Sequence, residues 1–130
     1  MPQGWTESRE TLDYGERVEF DDPASSAFLR IEQTAEPAAD ALVDWQENEP
    51  AVAGRLGNYQ RVRLERVEVP YAADAADWEF TYGRGTHVLN RNLRVSDDRA
   101  YALYWSAPDS AWAQSRPVFD QVASTFVPAG

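Results

Sequence analysis

The feature that most constrains the fold is a strict two-residue alternation over residues 76–82. Large apolar side chains occupy every second position, and polar or charged side chains occupy the positions between them. The apolar set is Ala76, Trp78, Phe80 and Tyr82, and the polar set is Asp77, Glu79 and Thr81. Successive side chains of a β-strand point to opposite faces of a sheet, whereas a helix would spread these residues around its circumference. The chain is therefore expected to contain a sheet with a strongly apolar face.

Further strands are predicted on both sides of this segment. The predicted strands cover residues 17–20, 27–33, 59–69, 75–82, 86–95 and 100–106. The first two form a β-hairpin, and Gly83-Arg84-Gly85 is a short hairpin loop between the fourth and the fifth. A turn over residues 96–99 leads to the last strand. In the strand over 59–69 the apolar phase slips by one residue, which indicates a β-bulge near Glu65 and Arg66.

Two segments show helical spacing instead. The first has apolar residues at helical intervals and acids on the outer side, namely Ala38, Ala41, Leu42 and Trp45 with Asp40, Asp44 and Glu47. Pro50 is expected to kink this helix or to start a second turn, and Gly54 and Gly57 end it. The second is expected to start at Pro108 behind the cap candidate Ser106. Its predicted buried stripe is Trp112, Phe119, Val122 and Phe126, with a kink or restart at Pro117.

The order of these elements is ββαββββα, which predicts an α+β fold with a mostly antiparallel β-sheet flanked by helices. The length of 130 residues fits one domain over residues 1–130. Residues 1–16 are polar apart from Trp5 and are predicted to be an entry segment. No apolar run is long enough for a membrane span, and the first ten residues lack the basic start and apolar stretch of a signal peptide.

The charge distribution argues against several kinds of partner. The net charge is −10, and residues 1–50 contain 13 acidic residues against 3 Arg, so the whole excess lies there. No basic stripe is present, so we expect no binding to nucleic acid, and adsorption to anionic lipid is disfavoured. Because no apolar run is long enough for a span, we also expect no direct membrane insertion by this chain. Cys is absent and His87 is the single His, which excludes thiolate zinc sites and His-pair metal motifs. We therefore expect no metal and no cofactor.

Several motifs together resemble a known family. They are DWEFTYG at residues 77–83, HVLNR at 87–91, YALYW at 101–105, the early Gly4-Trp5, and the closing Phe119 with Thr125-Phe126. The chain resembles the C-terminal extracytoplasmic domain of actinobacterial membrane-anchored serine/threonine kinases, which belongs with the PsbP-like α/β/α sandwiches. The resemblance implies the sensor end of a larger protein on the extracytoplasmic side of a membrane. A kinase domain and a membrane helix would then lie upstream.

The hairpin loops predict which residues lie opposite one another. Asp77 should pair with Arg91, Glu79 with Leu89, Thr81 with His87, Arg91 with Tyr104, and Leu93 with Ala102. The core face would then carry Trp78, Phe80, Tyr82, Val88, Leu103 and Trp105. The other face would carry Asp77, Glu79, His87, Arg91 and Tyr104 among Leu89 and Leu93. A change of one residue in either loop would invert part of this assignment.

The polar side chains of that second face form the candidate ligand site. Arg91 would lie between an aromatic hydroxyl and two carboxylates on a rigid sheet, so the cluster could offer donors and acceptors to a ligand. The alternative is structural: Asp77 and Arg91 form a cross-strand ion pair, and the helix containing Leu42 and Trp45 covers the face.

No catalytic residues are predicted. The chain has no Lys, Gly-rich phosphate loop, His-Arg-Asp or Asp-Phe-Gly motif, so it is not itself a kinase. Arg91 disfavours Asp77 and Glu79 as a hydrolase pair, and His87 lacks a nucleophile partner. We therefore expect a non-catalytic binding or sensor module whose partner is a small ligand, a cell-envelope component or a protein. The alternatives are a stand-alone PsbP-like lipoprotein or assembly factor and, third, a hydrolase.

Overall fold

The chain folds around one antiparallel sheet. The computed structural model describes residues 5–12, 15–23, 27–34, 40–70, 72–96 and 99–125. The strands are β1 Thr6–Leu12, β2 Gly15–Asp21, β3 Phe28–Thr34, β4 Gln60–Val67, β5 Asp74–Tyr82, β6 Thr86–Ser96 and β7 Arg99–Pro108. Helix α1 covers Ala41–Arg55, and a 3₁₀ turn at Asp109–Ala111 leads into α2 at Trp112–Thr125. Within the described ranges the strand order is β1-β2-β3-β7-β6-β5-β4.

The predicted α+β class, the six predicted strands and the two helices are confirmed, and β1 was missed. This strand lies inside residues 1–16, which were predicted to be an entry segment. Among the described strands it pairs with β2 alone, and the side chains of residues 6–11 are exposed. An edge strand with solvent on both faces needs no apolar alternation, so its sequence carries no periodic signal.

Helix α1 is capped at its start by a side chain. Oδ1 of Asp40 accepts hydrogen bonds from the backbone N–H groups of Leu42 at 2.9 Å and Val43 at 3.1 Å. Pro50 lies inside the helix without ending it, and the helix ends at Arg55, before Gly57. Ala38, which was predicted to belong to this helix, lies outside the described residues.

Helix α2 starts later than predicted. Strand β7 stays paired with β6 as far as Pro108, which lies opposite Thr86. Ser106 is therefore a buried strand residue and not a helix cap. Phe119 is fully buried on the inner side of α2, as predicted, and Phe126 lies outside the described residues. Neither of the two described helices is long and apolar enough to cross a membrane.

The β-bulge in β4 lies nearer its start than predicted. The register shifts between Arg61 and Arg63, so Val62 is the extra residue, and its side chain is 54% exposed. Leu64 lies opposite Trp78, and Val67 lies opposite Ala75 on the other face. The sheet has an apolar core on each face, so β4 can direct apolar side chains to both faces. The change of apolar phase along this strand is therefore explained without a β-bulge near Glu65 and Arg66.

The β5–β6 register was predicted correctly, but the β6–β7 register was wrong by one residue. The loop glycines Gly83 and Gly85 have positive φ angles of 62° and 109°, and Asp77 lies opposite Arg91 as expected. In the next hairpin Arg94 pairs with Ala100 and Ser96 pairs with Arg99, which leaves Val95 as an extra residue. As a result Arg91 lies opposite Leu103, and Tyr104 lies opposite Asn90.

This register gives the sheet two apolar cores, one on each face. The core under α1 consists of the buried residues Ala41, Trp45, Ala76, Trp78, Phe80 and Val88. The core under α2 consists of Leu29, Ala75, Leu89, Leu93, Tyr101, Leu103, Trp105, Phe119 and Ala123. Leu103 and Trp105 therefore lie on the face opposite Trp78, not beside it as predicted. Helix α1 contacts β4, β5 and β6, and α2 contacts β7.

Replacing Trp78 or Trp105 by Ala is expected to lower the free energy of unfolding by about 3–5 kcal/mol, because each change empties part of one core. Urea unfolding measures the loss. Val43→Ala is the control, because this side chain is 43% exposed, and it should change the stability by less than about 0.5 kcal/mol. A loss under about 1 kcal/mol for either Trp variant would contradict the burial described here.

Candidate functional site

A buried ion-pair cluster lies between the sheet and α2. Arg91 on β6 donates from Nε to Oδ1 of Asp77 at 2.7 Å and from Nη2 to Oδ2 at 3.0 Å. Arg63 on β4 also donates to Oδ2 of Asp77, at 3.2 Å. The Asp77 side chain is only 1% exposed, so these two guanidinium groups replace the water that a carboxylate would otherwise require.

His87 extends this cluster to the start of α2. Its Nε2 lies 2.7 Å from Oε2 of Glu79, and its Nδ1 lies 2.8 Å from Oδ1 of Asp109. The indole of Trp112 stacks on the imidazole with ring centroids 3.7 Å apart. A doubly protonated ring can donate to both carboxylates at once. The arrangement ties β5, β6, the 3₁₀ turn and α2 together.

Four of the five predicted site residues are therefore neighbours, and each is engaged by the protein itself. Asp77, Glu79 and His87 are buried, and the Arg91 side chain is 18% exposed beside the Phe119 ring. The covering helix is α2, whereas α1, with Leu42 and Trp45, packs on the opposite face. The contacts favour the structural role that the sequence left open, and ligand binding by these four residues stays a prediction. In the described segments no group of three or more acidic or His residues could hold a metal ion.

Tyr104, the fifth predicted residue, lies on the other face of the sheet. The extra residue at Val95 shifts β7 by one position relative to Arg91, which turns the Tyr104 side chain toward the α1 face. Its ring stacks on Phe28 with centroids 5.9 Å apart, and the guanidinium of Arg30 lies 5.4 Å from the ring centroid. Burial, helped by the neighbouring Tyr82 hydroxyl, raises the pKa of Tyr104 to about 12. The Tyr104 hydroxyl is therefore neutral at any physiological pH.

Tyr104 lines a cavity of about 390 Å³ between α1 and the β3–β7–β6–β5 part of the sheet. We call it the Tyr104 cavity. Its aromatic walls are Trp45, Trp78, Phe80 and Tyr104, its amide side chains are Asn48 and Asn90, and its charged side chains are Arg30, Glu32 and Arg55. The volume falls in the range of small-molecule sites, roughly 300–1,000 Å³, and the mixture of aromatic walls with a few polar groups is typical of them.

Sequence reasoning missed most of this cavity. Within the part of the chain that the structure describes, α1 contacts β4, β5 and β6, and the cavity lies beside this helix, next to side chains of β3 and β7. The position of Trp45 is fixed in part by a hydrogen bond from its Nε1 to the backbone oxygen of Asn90, at 3.1 Å and 45 residues away. No local pattern encodes such a contact. The available signal was the aromatic Tyr104, and the register error assigned it to the wrong face.

Two solved structures share this architecture. The solution structure of CyanoP, the cyanobacterial PsbP of Synechocystis sp. PCC 6803, matches with a TM-score of 0.70 and 15% identity over 99% of this chain and 84% of that one. The crystal structure of PA94, a protein of unknown function from Pseudomonas aeruginosa, matches with a TM-score of 0.65 and 13% identity over 100% and 90%. At these identities the likeness concerns the fold, and the chain is a PsbP-like α/β/α sandwich.

The family is defined by the sequence comparison. A family model described as "Serine/threonine kinase C-terminal domain" matches residues 1–128. The chain belongs to this family of serine/threonine kinase C-terminal domains. The resemblance carried by the motifs at residues 77–83, 87–91 and 101–105 is thereby confirmed.

Two curated proteins share part of the sequence. Each is described as a "Probable DNA ligase", one from Mycolicibacterium paratuberculosis and one from Mycobacterium avium. Each is 36% identical over 85 residues, which is 62% of this chain. The match spans 16% of the length of each of these relatives, so it concerns a small portion of them.

Asp77→Asn is expected to lower the free energy of unfolding by about 3 kcal/mol, because it removes the buried charge that neutralises Arg63 and Arg91. Asp120→Asn is the matched control. It breaks a pair with Arg116 on α2 in which the Asp120 side chain is 55% exposed, and it should cost less than about 0.5 kcal/mol. Equal losses for the two variants in urea unfolding would show that the cluster under α2 is not a stabilising element.

Proposed function

We propose that this domain is a non-catalytic ligand-binding module of a serine/threonine kinase and that the ligand binds in the Tyr104 cavity. The observation that carries the proposal is the cavity itself, with aromatic walls and a few polar groups on one side of a rigid sheet. The family supports the attachment to a kinase. The charged cluster under α2, which could be mistaken for a catalytic centre, is better explained by packing because its members are already paired.

The kind of signal follows from this placement. A ligand in the Tyr104 cavity contacts α1 through Trp45 and the sheet through Trp78 and Tyr104, so binding would restrain the helix relative to the sheet. We propose that the domain acts as a sensor in this way, on the extracytoplasmic side of the membrane as part of a membrane-anchored kinase. Its partner there is a small ligand, a cell-envelope component or a protein that presents a small group. The net charge of −10 supports the exclusion of nucleic acid.

A second candidate is an accessory module that is not restricted to kinases. The specific observation that favours it is the 36% identity to part of two proteins described as "Probable DNA ligase". A unit that accompanies different enzymes would supply binding or assembly and leave the chemistry to its neighbour. In this case the extracytoplasmic location would not be a property of the domain itself. A stand-alone PsbP-like lipoprotein or assembly factor is a further form of the same idea.

Filling the cavity tests the proposal. Ala102 lines the Tyr104 cavity, so Ala102→Phe should place a ring inside it and abolish the binding of small aromatic fragments. The probes are single-ring and fused-ring fragments of neutral, anionic and cationic charge, titrated into the ¹⁵N-labelled protein. We expect the indole N–H signal of Trp45 to shift in the parent protein and to stay unchanged in Ala102→Phe.

The control carries the same change on the other side of the sheet. Ala113 is exposed on α2, so Ala113→Phe should leave the binding of the fragments as in the parent protein. Thermal unfolding and the amide spectrum check that both variants remain folded. The proposal is wrong if no fragment shifts a signal of the cavity, or if Ala102→Phe binds as well as Ala113→Phe does.

A further inference from the structure

The side chains that line the Tyr104 cavity carry a net positive charge, whereas the chain as a whole has a net negative charge. Two guanidinium groups, of Arg30 and Arg55, and one carboxylate, of Glu32, line it in a chain whose net charge is −10. The Oε1 atom of Glu32 lies 4.0 Å from the Nε atom of Arg17, so this carboxylate already has a cationic partner. The cavity therefore has an excess of positive charge.

Arg55 is an exposed cation in the lining of the Tyr104 cavity. It is exposed in the last turn of α1, and among the described residues no carboxylate lies within ion-pair distance of it. Its charge reaches the cavity, since the positive charges of Arg30 and Arg55 both oppose the rise in the Tyr104 pKa. Of the other exposed arginines on the described surface, Arg61 pairs with Glu49 and Arg66 pairs with Asp40. Arg84 has no carboxylate within ion-pair distance among the described residues either, but it does not line the cavity.

Arg30 is held in place over the Tyr104 ring. Its Nε donates to Oε1 of Glu19 at 3.2 Å, and its guanidinium carbon lies 5.3 Å from the centroid of Phe28 and 5.4 Å from that of Tyr104. A guanidinium fixed by stacking keeps its planar fork in one orientation, which suits a planar anion such as a carboxylate.

We propose that the Tyr104 cavity binds a planar aromatic carboxylate, with the ring against Trp45, Trp78 and Tyr104 and the carboxylate directed to Arg55 and Arg30. This inference rests on the proposed function and specifies its ligand. The aromatic walls favour a flat ring. The guanidinium of Arg55, which has no carboxylate within ion-pair distance among the described residues, favours an anion over a neutral group. A cation of the same shape would be repelled by both arginines.

Three probes with one ring system separate shape from charge. They are 2-naphthoate, the neutral 2-naphthamide and the protonated 2-naphthylmethylamine, each titrated into the protein and followed by the Trp45 indole signal and by calorimetry. We expect 2-naphthoate to bind roughly tenfold more tightly than 2-naphthamide, because only the carboxylate forms an ion pair with Arg55, whereas the amide oxygen accepts a hydrogen bond without carrying a charge. The ammonium probe should bind most weakly. Acetate, which lacks a ring, should not compete at equal concentration.

Arg55→Gln should reduce the preference for the carboxylate several-fold and leave the affinity for 2-naphthamide unchanged. Arg116→Gln is the matched control, because it removes the same charge from α2 on the other face, and it should keep the preference. Arg30→Gln provides a second variant at the cavity and should also weaken 2-naphthoate selectively. The amide spectrum of each variant reports whether it is folded.

The outcomes distinguish this inference from the proposal on which it rests. Equal binding of 2-naphthoate and 2-naphthamide, both abolished by Ala102→Phe, would leave the Tyr104 cavity as a binding site and overturn the carboxylate preference. An unchanged preference in Arg55→Gln would also overturn it. Binding of no ring probe would overturn both the inference and the proposed function.

Discussion

The pairing of β6 with β7 determines what lies on each face of the sheet. Val95 is an extra residue in β6, so Tyr104 lies opposite Asn90 on the α1 face and Trp105 lies opposite Leu89 under α2. A shift of one residue would exchange every side chain of β7 between the two faces. The Tyr104 cavity would then lose its wall, and the core under α2 would lose its largest ring.

The two faces of the sheet differ in how their polar and aromatic side chains are packed. Under α2, the buried cluster around Asp77 and His87 satisfies charged groups with one another and joins the sheet to the start of the helix. On the other face α1 contacts β4, β5 and β6, and the Tyr104 cavity with its aromatic walls lies beside this helix. The cluster under α2 fixes the strands relative to one another. On the opposite face, the same strands place aromatic and cationic side chains around a cavity of about 390 Å³.

The sequence predicted those parts of the structure that local patterns control. The alternation around Trp78 and the glycines of the 83–85 loop were sufficient for β5, β6 and their register, because a short loop leaves one pairing. No local sequence pattern indicates the bulge at Val95, so Tyr104 was predicted to lie opposite Arg91. The cavity was also missed, because it depends on where α1 lies, and long-range contacts such as that between Trp45 and Asn90 set that position.

Contacts between backbone protons across β6 and β7 test the account most directly. In an antiparallel pair the Hα atoms of directly opposite residues in non-hydrogen-bonded positions lie close together and give strong nuclear Overhauser effects. In the structure Asn90 lies opposite Tyr104, Arg91 opposite Leu103, and Asn92 opposite Ala102. Hydrogen-bonded and non-hydrogen-bonded pairs alternate along the strands. We therefore expect strong Hα–Hα contacts either for both of the Asn pairs or for the pair of Arg91 and Leu103. A strong Hα–Hα contact between Arg91 and Tyr104 would contradict the register and, with it, the placement of Tyr104 on the α1 face of the sheet.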